Sequence, residues 1–206
     1  MEKSFKKIAS ELLQPKKFVF DKDNLTKANK IVKMYPKNYK ESSIMPLLTL
    51  AQEQNNGWVP KKAIEYISKF LNVSEIRVLE LATFYSMYNL SPIGKYHIEV
   101  CTTSPCMLRG ADSLMLKCKE KLGIKVGELT KDKKFSINHV ECLGACVNAP
   151  MMQINDDYYE DLDKEKTLKI LDKILSGEKP IPGSYRGRIN NEPENNRKTL
   201  MDLKNA

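Results

Sequence analysis

The chain has 206 residues, 41% of them hydrophobic, and a formal net charge of +8. This length suits one or two domains, and the hydrophobic fraction is sufficient for a core that needs no disulfides to hold it together. Residues 1–40 contain 11 lysines and 4 acidic residues, so most of the net charge lies there and the rest of the chain is nearly neutral. The main body therefore lacks the basic stripe that nucleic-acid binding needs, and no nucleic-acid partner is expected.

Residues 1–40 are predicted to be a lysine-rich N-terminal segment with no sustained pattern beyond a short helix between Phe5 and Leu13. No apolar run approaches the roughly 20 residues that a membrane-spanning helix requires, so no direct membrane insertion is expected. A mitochondrial presequence is rich in arginine and poor in acids. This segment has no arginine and contains Glu2 and Glu11, so we expect it to be retained.

Residues 41–92 are predicted to form a small helical subdomain of three short helices. Apolar residues recur at helical spacing from Ile44 to Ala51, and this helix should end at residues 55–57. Pro60 is well placed to start the second helix and Ser74 to start the third. The apolar positions of these two helices are Ala63, Ile64, Ile67, Phe70, Leu71, Val78, Leu79, Ala82 and Tyr85.

Residues 93–182 are predicted to form an α/β domain with the element order β-α-β-β-α. The elements are a strand Tyr96–Cys101, a helix from about Leu108 to Leu122, a strand Phe135–Val140, a hairpin over 150–159 and a helix from Asp163 to Gly177. This order describes a mixed sheet with flanking helices. Residues 183–206 are polar and are predicted to be an extended C-terminal tail.

Four of the five cysteines form two tight pairs, Cys101 with Cys106 in C-x4-C spacing and Cys142 with Cys146 in C-x3-C spacing. Each pair lies where a predicted strand ends and small, turn-forming residues begin. Four soft thiolate ligands select zinc or an iron–sulfur cluster. The fifth cysteine, Cys118, is in register with the apolar positions of a predicted helix, so we expect it to pack in the core.

The cysteine spacing leaves three kinds of site open: a 2Fe–2S cluster, a structural zinc ion and a redox disulfide. Zinc sites with four cysteines usually use C-x2-C pairs, and redox dithiols do the same. Plant-type ferredoxins reach a 2Fe–2S cluster with C-x4-C, so the spacing favours the cluster. Nucleophilic catalysis is not favoured, because both histidines, His97 and His139, fall within predicted strands.

Residues from about 35 to 200 resemble the 24 kDa-type subunit of NADH:quinone oxidoreductase (respiratory complex I), known in bacteria as the E subunit. The resemblance rests on the ordered motifs Tyr35-Pro36, Ile44-Met45-Pro46-Leu47-Leu48, Ala82-Thr83-Phe84-Tyr85, Pro92-Ile93-Gly94-Lys95-Tyr96, Val140-Glu141-Cys142-Leu143-Gly144-Ala145-Cys146 and Ala149-Pro150. It implies a thioredoxin-like 2Fe–2S ferredoxin domain preceded by a helical subdomain. The iron ligands that it implies are Cys101, Cys106, Cys142 and Cys146, with no catalytic residue in this chain.

The same resemblance implies that the chain works inside an assembly. Its partners would be the flavoprotein subunit that binds NADH and FMN, with which it would exchange one electron, and the adjacent large iron–sulfur subunit. The sequence has no G-x-G-x-x-G turn and no glycine-rich phosphate cradle, so the isolated chain is expected to be an electron carrier without its own NADH or FMN site. Such an assembly would place it on the cytoplasmic side of a bacterial inner membrane, in preference to the mitochondrial matrix.

The two ends of the chain have separate expectations. The segment before Tyr35 has no clear counterpart in the family, so we expect it to be dispensable for cluster binding. The motifs Gly187-Arg188 and Arg197-Lys198-Thr199-Leu200 resemble a C-terminal segment that wraps the partner. Two alternatives for the whole chain remain: the equivalent diaphorase subunit of an NAD-linked hydrogenase or formate dehydrogenase, and a zinc-stabilised interaction module.

Overall fold

A computed structural model describes residues 8–193 of the chain. The chain divides into two compact units, with the boundary between Ile93 and Gly94. The first unit is helical and the second combines a sheet with helices. Within the described residues, no helix has both the length and the apolar character needed to cross a bilayer.

Within residues 8–93, the described part of the first unit, the chain forms four α-helices. They are α1 (Lys22–Lys33), α2 (Ile44–Gln54), α3 (Lys61–Leu71) and α4 (Glu75–Phe84). The three helices expected from the sequence are confirmed: α2 ends at Asn55, α3 follows Pro60 and α4 follows Ser74. Their apolar faces form one buried core that includes Leu47 and Ile67.

Helix α1 was not expected, and the prediction that residues 1–40 lack a sustained element is wrong for Lys22–Lys33. Asp21 caps the N-terminus of this helix: its carboxylate accepts a hydrogen bond from the Asn24 backbone N–H at 2.8 Å. Its buried face is small, with Ala28 as the one fully buried residue. Of the short helix predicted between Phe5 and Leu13, residues 5–7 lie outside the described part, and Glu11–Leu13 form a single 3-10 turn.

The segment before α1 adds aromatic side chains to the core of the first unit. Phe18 and Phe20 are buried, and the Phe20 ring packs edge-on against Tyr66 with ring centroids 5.3 Å apart. The side chain of Gln54 in α2 donates to the Val19 carbonyl at 2.8 Å, so backbone and side chains both attach this segment to the unit.

Replacing Phe20 by alanine should lower the free energy of unfolding of the first unit by about 3–5 kcal/mol, because a buried aromatic ring is lost and a cavity remains. Val19→Ala is the matched control, since that side chain is 47% exposed and its loss should cost less than about 1 kcal/mol. The only tryptophan, Trp58, is buried in this unit, so urea unfolding followed by tryptophan fluorescence measures both variants. Equal midpoints for the two would contradict this packing.

Deleting residues 1–34 should destabilise the same unit, and retention of the cluster after that deletion stays a prediction.

The described residues of the second unit, 94–193, are built on one five-stranded mixed sheet. The strands are β1 (Tyr96–Cys101), β2 (Phe135–Val140), β3 (Met152–Ile154), β4 (Asp157–Glu160) and β5 (Gly183–Ser184), in the spatial order β2-β1-β3-β4-β5. The helices are α5 (Ser104–Leu108), α6 (Ala111–Leu122) and α7 (Lys164–Leu175). Strand β1 runs parallel to β2 and antiparallel to β3. The α/β fold class with a mixed sheet is therefore confirmed.

Two predicted features of this unit are corrected. The helix expected from about Leu108 to Leu122 is present as α6 but begins at Ala111, after Gly110 in a left-handed conformation (φ 95°), and a short helix that was not expected, α5, precedes it. The polar C-terminal tail begins as strand β5, which pairs in parallel with β4. The tail motif Arg197-Lys198-Thr199-Leu200 lies outside the described residues.

Candidate metal centre

The two cysteine pairs lie at one edge of the sheet. Strand β1 ends at Cys101 and pairs in parallel with β2, so that Cys101 stands opposite Val140. Cys142 follows two residues after Val140. Because the carboxyl ends of neighbouring parallel strands meet at the same edge, the fold brings loops that are distant in sequence to one place.

The first pair is buried. Cys101 and Cys106 are each 1% exposed, and Cys106 lies in the short helix α5. Burial, followed by the hydrogen bond with the Cys101 thiol, raises the pKa of Cys106 to about 12. The hydroxyl of Thr103 lies 3.3 Å from the Cys101 sulfur, so a hydrogen-bond donor stands beside a thiolate at this position.

The second pair is more accessible. Cys142 is exposed and its sulfur lies 3.2 Å from that of Cys146. Gly144 adopts φ 84°, which glycine accommodates without strain, and its backbone N–H donates to the Cys142 sulfur at 3.4 Å. That amide, followed by the Cys146 thiol, lowers the pKa of Cys142. The hydroxyl of Tyr158 in β4 donates to the Leu143 carbonyl at 3.1 Å and holds this loop against the sheet.

The two pairs interact with each other. The Cys142 thiol, burial and the charges of Cys142 and Cys101 raise the pKa of Cys146, and the Thr103 hydroxyl contributes to lowering the pKa of Cys142. Within residues 8–193, no three histidine, cysteine, aspartate or glutamate side chains form a group that would hold a single metal ion. Two pairs of sulfurs at neighbouring positions suit a 2Fe–2S cluster, in which each of two irons takes two thiolates, better than one tetrahedral zinc ion. The assignment of these four cysteines as iron ligands remains a prediction.

The remaining cysteine and the buried histidine lie in other environments. Cys118 is fully buried on α6, where burial raises the pKa of its thiol to about 12. His97 is 4% exposed in β1, and its Nδ1 lies 2.7 Å from the Ser136 hydroxyl. Its ring therefore bonds to a strand residue, which gives no support to cysteine-based nucleophilic catalysis.

Three residues have contacts around the second cysteine loop that the sequence did not predict: Tyr158, Asp161 and Arg188, the last of which was expected to belong to a partner-wrapping segment. Tyr158 bonds the loop directly. Asp161 and Arg188 form an ion pair in which the carboxylate side chain is 1% exposed. Local patterns could not reveal these contacts, because each pairs residues that are distant in sequence.

The chain is similar to several known proteins. The family model "Thioredoxin-like [2Fe-2S] ferredoxin" matches residues 28–175. The E subunit of NADH-quinone oxidoreductase from Rickettsia bellii is 60% identical over 157 residues, which are 76% of this chain and 94% of that protein. The mitochondrial NADH dehydrogenase [ubiquinone] flavoprotein 2 of Dictyostelium discoideum is 45% identical over 185 residues, which are 90% of this chain and 75% of that protein.

Among solved structures, an air-oxidized NAD+-reducing [NiFe]-hydrogenase contains a similar fold. The TM-score is 0.54 at 21% sequence identity, over 63% of this chain and 23% of the hydrogenase chain. At this identity the similarity concerns the fold alone.

Proposed function

The chain belongs to the thioredoxin-like [2Fe-2S] ferredoxin family that includes the E subunit of NADH-quinone oxidoreductase, and from this premise we propose that it is the 2Fe–2S electron-transfer subunit of an NADH:quinone oxidoreductase. The observation that carries the proposal is the parallel pairing of β1 with β2, which brings the loops of the two cysteine pairs to one edge of the sheet, where the Cys101 and Cys146 thiols interact electrostatically. The names of the two relatives, both subunits of an NADH dehydrogenase, support the same function.

We assign Cys101, Cys106, Cys142 and Cys146 as the ligands of the cluster. When bound, a 2Fe–2S cluster accepts and returns one electron at a time. The protein supplies the surroundings: burial of the first cysteine pair excludes water, and the Gly144 amide donates to the Cys142 sulfur. The Thr103 hydroxyl lies 3.3 Å from the Cys101 sulfur and would donate to its thiolate. Hydrogen bonds and solvent exposure set the potential of such a centre.

The proposed partners rest on the relatives that are subunits of NADH-quinone oxidoreductase. They are a flavoprotein subunit that binds NADH and FMN and the large iron–sulfur subunit beside it; this sequence itself has no glycine-rich turn for a dinucleotide. We place the assembly on the cytoplasmic side of a bacterial inner membrane. A diaphorase module of a hydrogenase is the second candidate and is favoured only by the shared fold.

Electron paramagnetic resonance of the dithionite-reduced full-length chain tests this proposal. A 2Fe–2S centre should give a rhombic S = 1/2 signal together with red-brown colour in the oxidised protein. A zinc-stabilised interaction module would be colourless and silent in the same experiment. A colourless protein that retains its fold would therefore overturn the proposed function.

Thr103→Val should lower the midpoint potential of the cluster by about 20–60 mV, because a donor 3.3 Å from the Cys101 sulfur is lost and the reduced, more negative state depends on that donor more strongly. For one electron, 59 mV corresponds to a tenfold change in the equilibrium constant. Thr103→Ser keeps the hydroxyl and is the matched control. Redox titration followed by visible absorbance measures both variants, and equal shifts in the two would contradict a role for the hydroxyl.

A further inference from the structure

The buried carboxylate of Asp161 is held by the C-terminal segment of the chain. Asp161 follows β4 and is 2% exposed. The Arg188 guanidinium donates to it from Nε at 2.9 Å and from a terminal nitrogen, and the Ser184 hydroxyl donates at 2.6 Å. Burial alone would raise the pKa of Asp161, but the hydrogen bonds from Arg188 and Ser184 outweigh it and lower that pKa. Arg188 is therefore fixed by a bidentate pair in a defined orientation.

The same guanidinium reaches the second cysteine loop. The terminal nitrogen that bonds Asp161 also donates to the Val147 carbonyl at 3.1 Å. The other terminal nitrogen donates to the Glu192 carbonyl at 3.2 Å. Val147 is the residue directly after Cys146. One side chain thus connects the cysteine loop, the end of β4 and the C-terminal segment.

Asn148 makes a second connection at the same place. Its carbonyl accepts a hydrogen bond from the Asp161 backbone N–H at 2.7 Å. Its side-chain amide donates to the Asn190 carbonyl at 2.7 Å and to the Glu160 carboxylate at 2.6 Å. Asn148 is 3% exposed, so the chain immediately after Cys146 is attached to the sheet and to the C-terminal segment within the folded core.

We propose that Arg188 is a positioning residue for the cluster: it holds the loop Cys142–Cys146 in the conformation that binds iron, from the C-terminal side. The inference rests on the proposed function, because it assumes a cluster on that loop. The family resemblance assigned Gly187-Arg188 to a segment that wraps a partner, whereas the Arg188 side chain bonds residues of its own chain. A flat, forked guanidinium can bond a carboxylate and a carbonyl at once, which the single ammonium of lysine does not reproduce.

The test compares full-length Arg188→Gln, Arg188→Lys and Arg186→Gln. Arg186 is exposed in the same segment, so its substitution removes the same charge without touching the contacts to Val147. Iron release from the oxidised cluster into an excess of a colourless ferric-iron chelator, measured as loss of the visible absorbance of the cluster, should be about tenfold faster or more in Arg188→Gln, as is typical when a residue supporting metal ligands is lost. Arg186→Gln should release iron at the wild-type rate.

The variant Arg188→Lys distinguishes the effect of the forked guanidinium geometry from the effect of its positive charge. Arg188→Lys keeps a positive charge beside the buried Asp161, which favours a folded protein even where Arg188→Gln accumulates poorly. It should release iron nearly as fast as the glutamine variant, because the fork is lost. A lysine variant that matches wild type, or equal rates in Arg188→Gln and Arg186→Gln, would overturn the positioning role.

A variant remote from the cysteine loop distinguishes a loss of overall stability from a loss of loop positioning. Leu171→Ala removes a fully buried side chain of α7 and weakens the same unit without touching Arg188 or Val147. The positioning role predicts altered g-values of the reduced cluster in Arg188→Gln and wild-type g-values in Leu171→Ala. Unchanged g-values in both would contradict it. A wild-type chain without a 2Fe–2S signal would instead defeat the proposed function.

Discussion

Single substitution by alanine at Cys101, Cys106, Cys142 or Cys146 should abolish or distort the visible and paramagnetic spectra of the cluster. Each removes one of four thiolates, and a cluster held by three cysteines is incomplete. The control is Cys118→Ala: this side chain is fully buried on α6, so its loss should cost about 1 kcal/mol of stability through a small cavity and leave the spectra intact.

The five variants are compared at equal protein concentration after purification without oxygen. Cys101 and Cys106 are buried, so their substitution can also destabilise the fold. Circular dichroism of each variant shows whether loss of the cluster spectrum accompanies unfolding. Bleaching in Cys118→Ala, combined with an intact spectrum in one of the other four, would show that the ligand assignment is wrong.

The second large effect concerns NADH. The isolated chain should stay oxidised when mixed with NADH and become reduced by dithionite, because it has no dinucleotide turn in its sequence. NADH donates a two-electron hydride, whereas an iron–sulfur cluster accepts one electron, so an intermediate that handles both is required. A flavin has that chemistry.

Adding the FMN-bearing subunit, with NADH in large excess over NAD+, should allow NADH to reduce the cluster. The matched control is the same subunit stripped of FMN, with which NADH should leave the cluster oxidised, as it does in the isolated chain. Stopped-flow absorbance distinguishes the cases. Rapid, stoichiometric reduction of the isolated chain by NADH would contradict the need for a flavoprotein partner.

The parts of the fold that local patterns encode were predictable. Alternating apolar residues indicated β1 and β2, and the cap of α7 is as expected, with the Asp163 carboxylate accepting from the Lys166 N–H at 2.8 Å. Since each cysteine pair lies where one of these strands ends, the sequence also indicated where the candidate ligands lie along the chain. The parallel pairing that brings them to one edge is a long-range feature that no local pattern states.

The missed features depend on partners far along the chain. Strand β5 has only Gly183 and Ser184, residues with no strand preference, and exists because β4 offers it hydrogen bonds. Burial along α7 also departs from simple hydropathy, since Leu175 is 49% exposed and Thr167 is fully buried. The Thr167 hydroxyl bonds the Asp163 carbonyl at 2.8 Å, which satisfies it inside the core.

Helix α1 illustrates the same limit in the first unit. Its lysine-rich sequence carries an apolar stripe in which Ala28 is buried and Ile31 and Val32 are partly buried. The helix is further stabilised by the Asp21 cap and by the attachment of the preceding segment to Gln54. Helices of this length gain most of their stability from tertiary packing, which residues 1–40 considered alone do not display.

The most direct test of the central claim is the metal and acid-labile sulfide content of the full-length chain purified without oxygen. A cluster on the loops of Cys101, Cys106, Cys142 and Cys146 predicts about two irons and about two sulfides per chain, with no zinc. About one zinc per folded chain, without iron or sulfide, would contradict the claim.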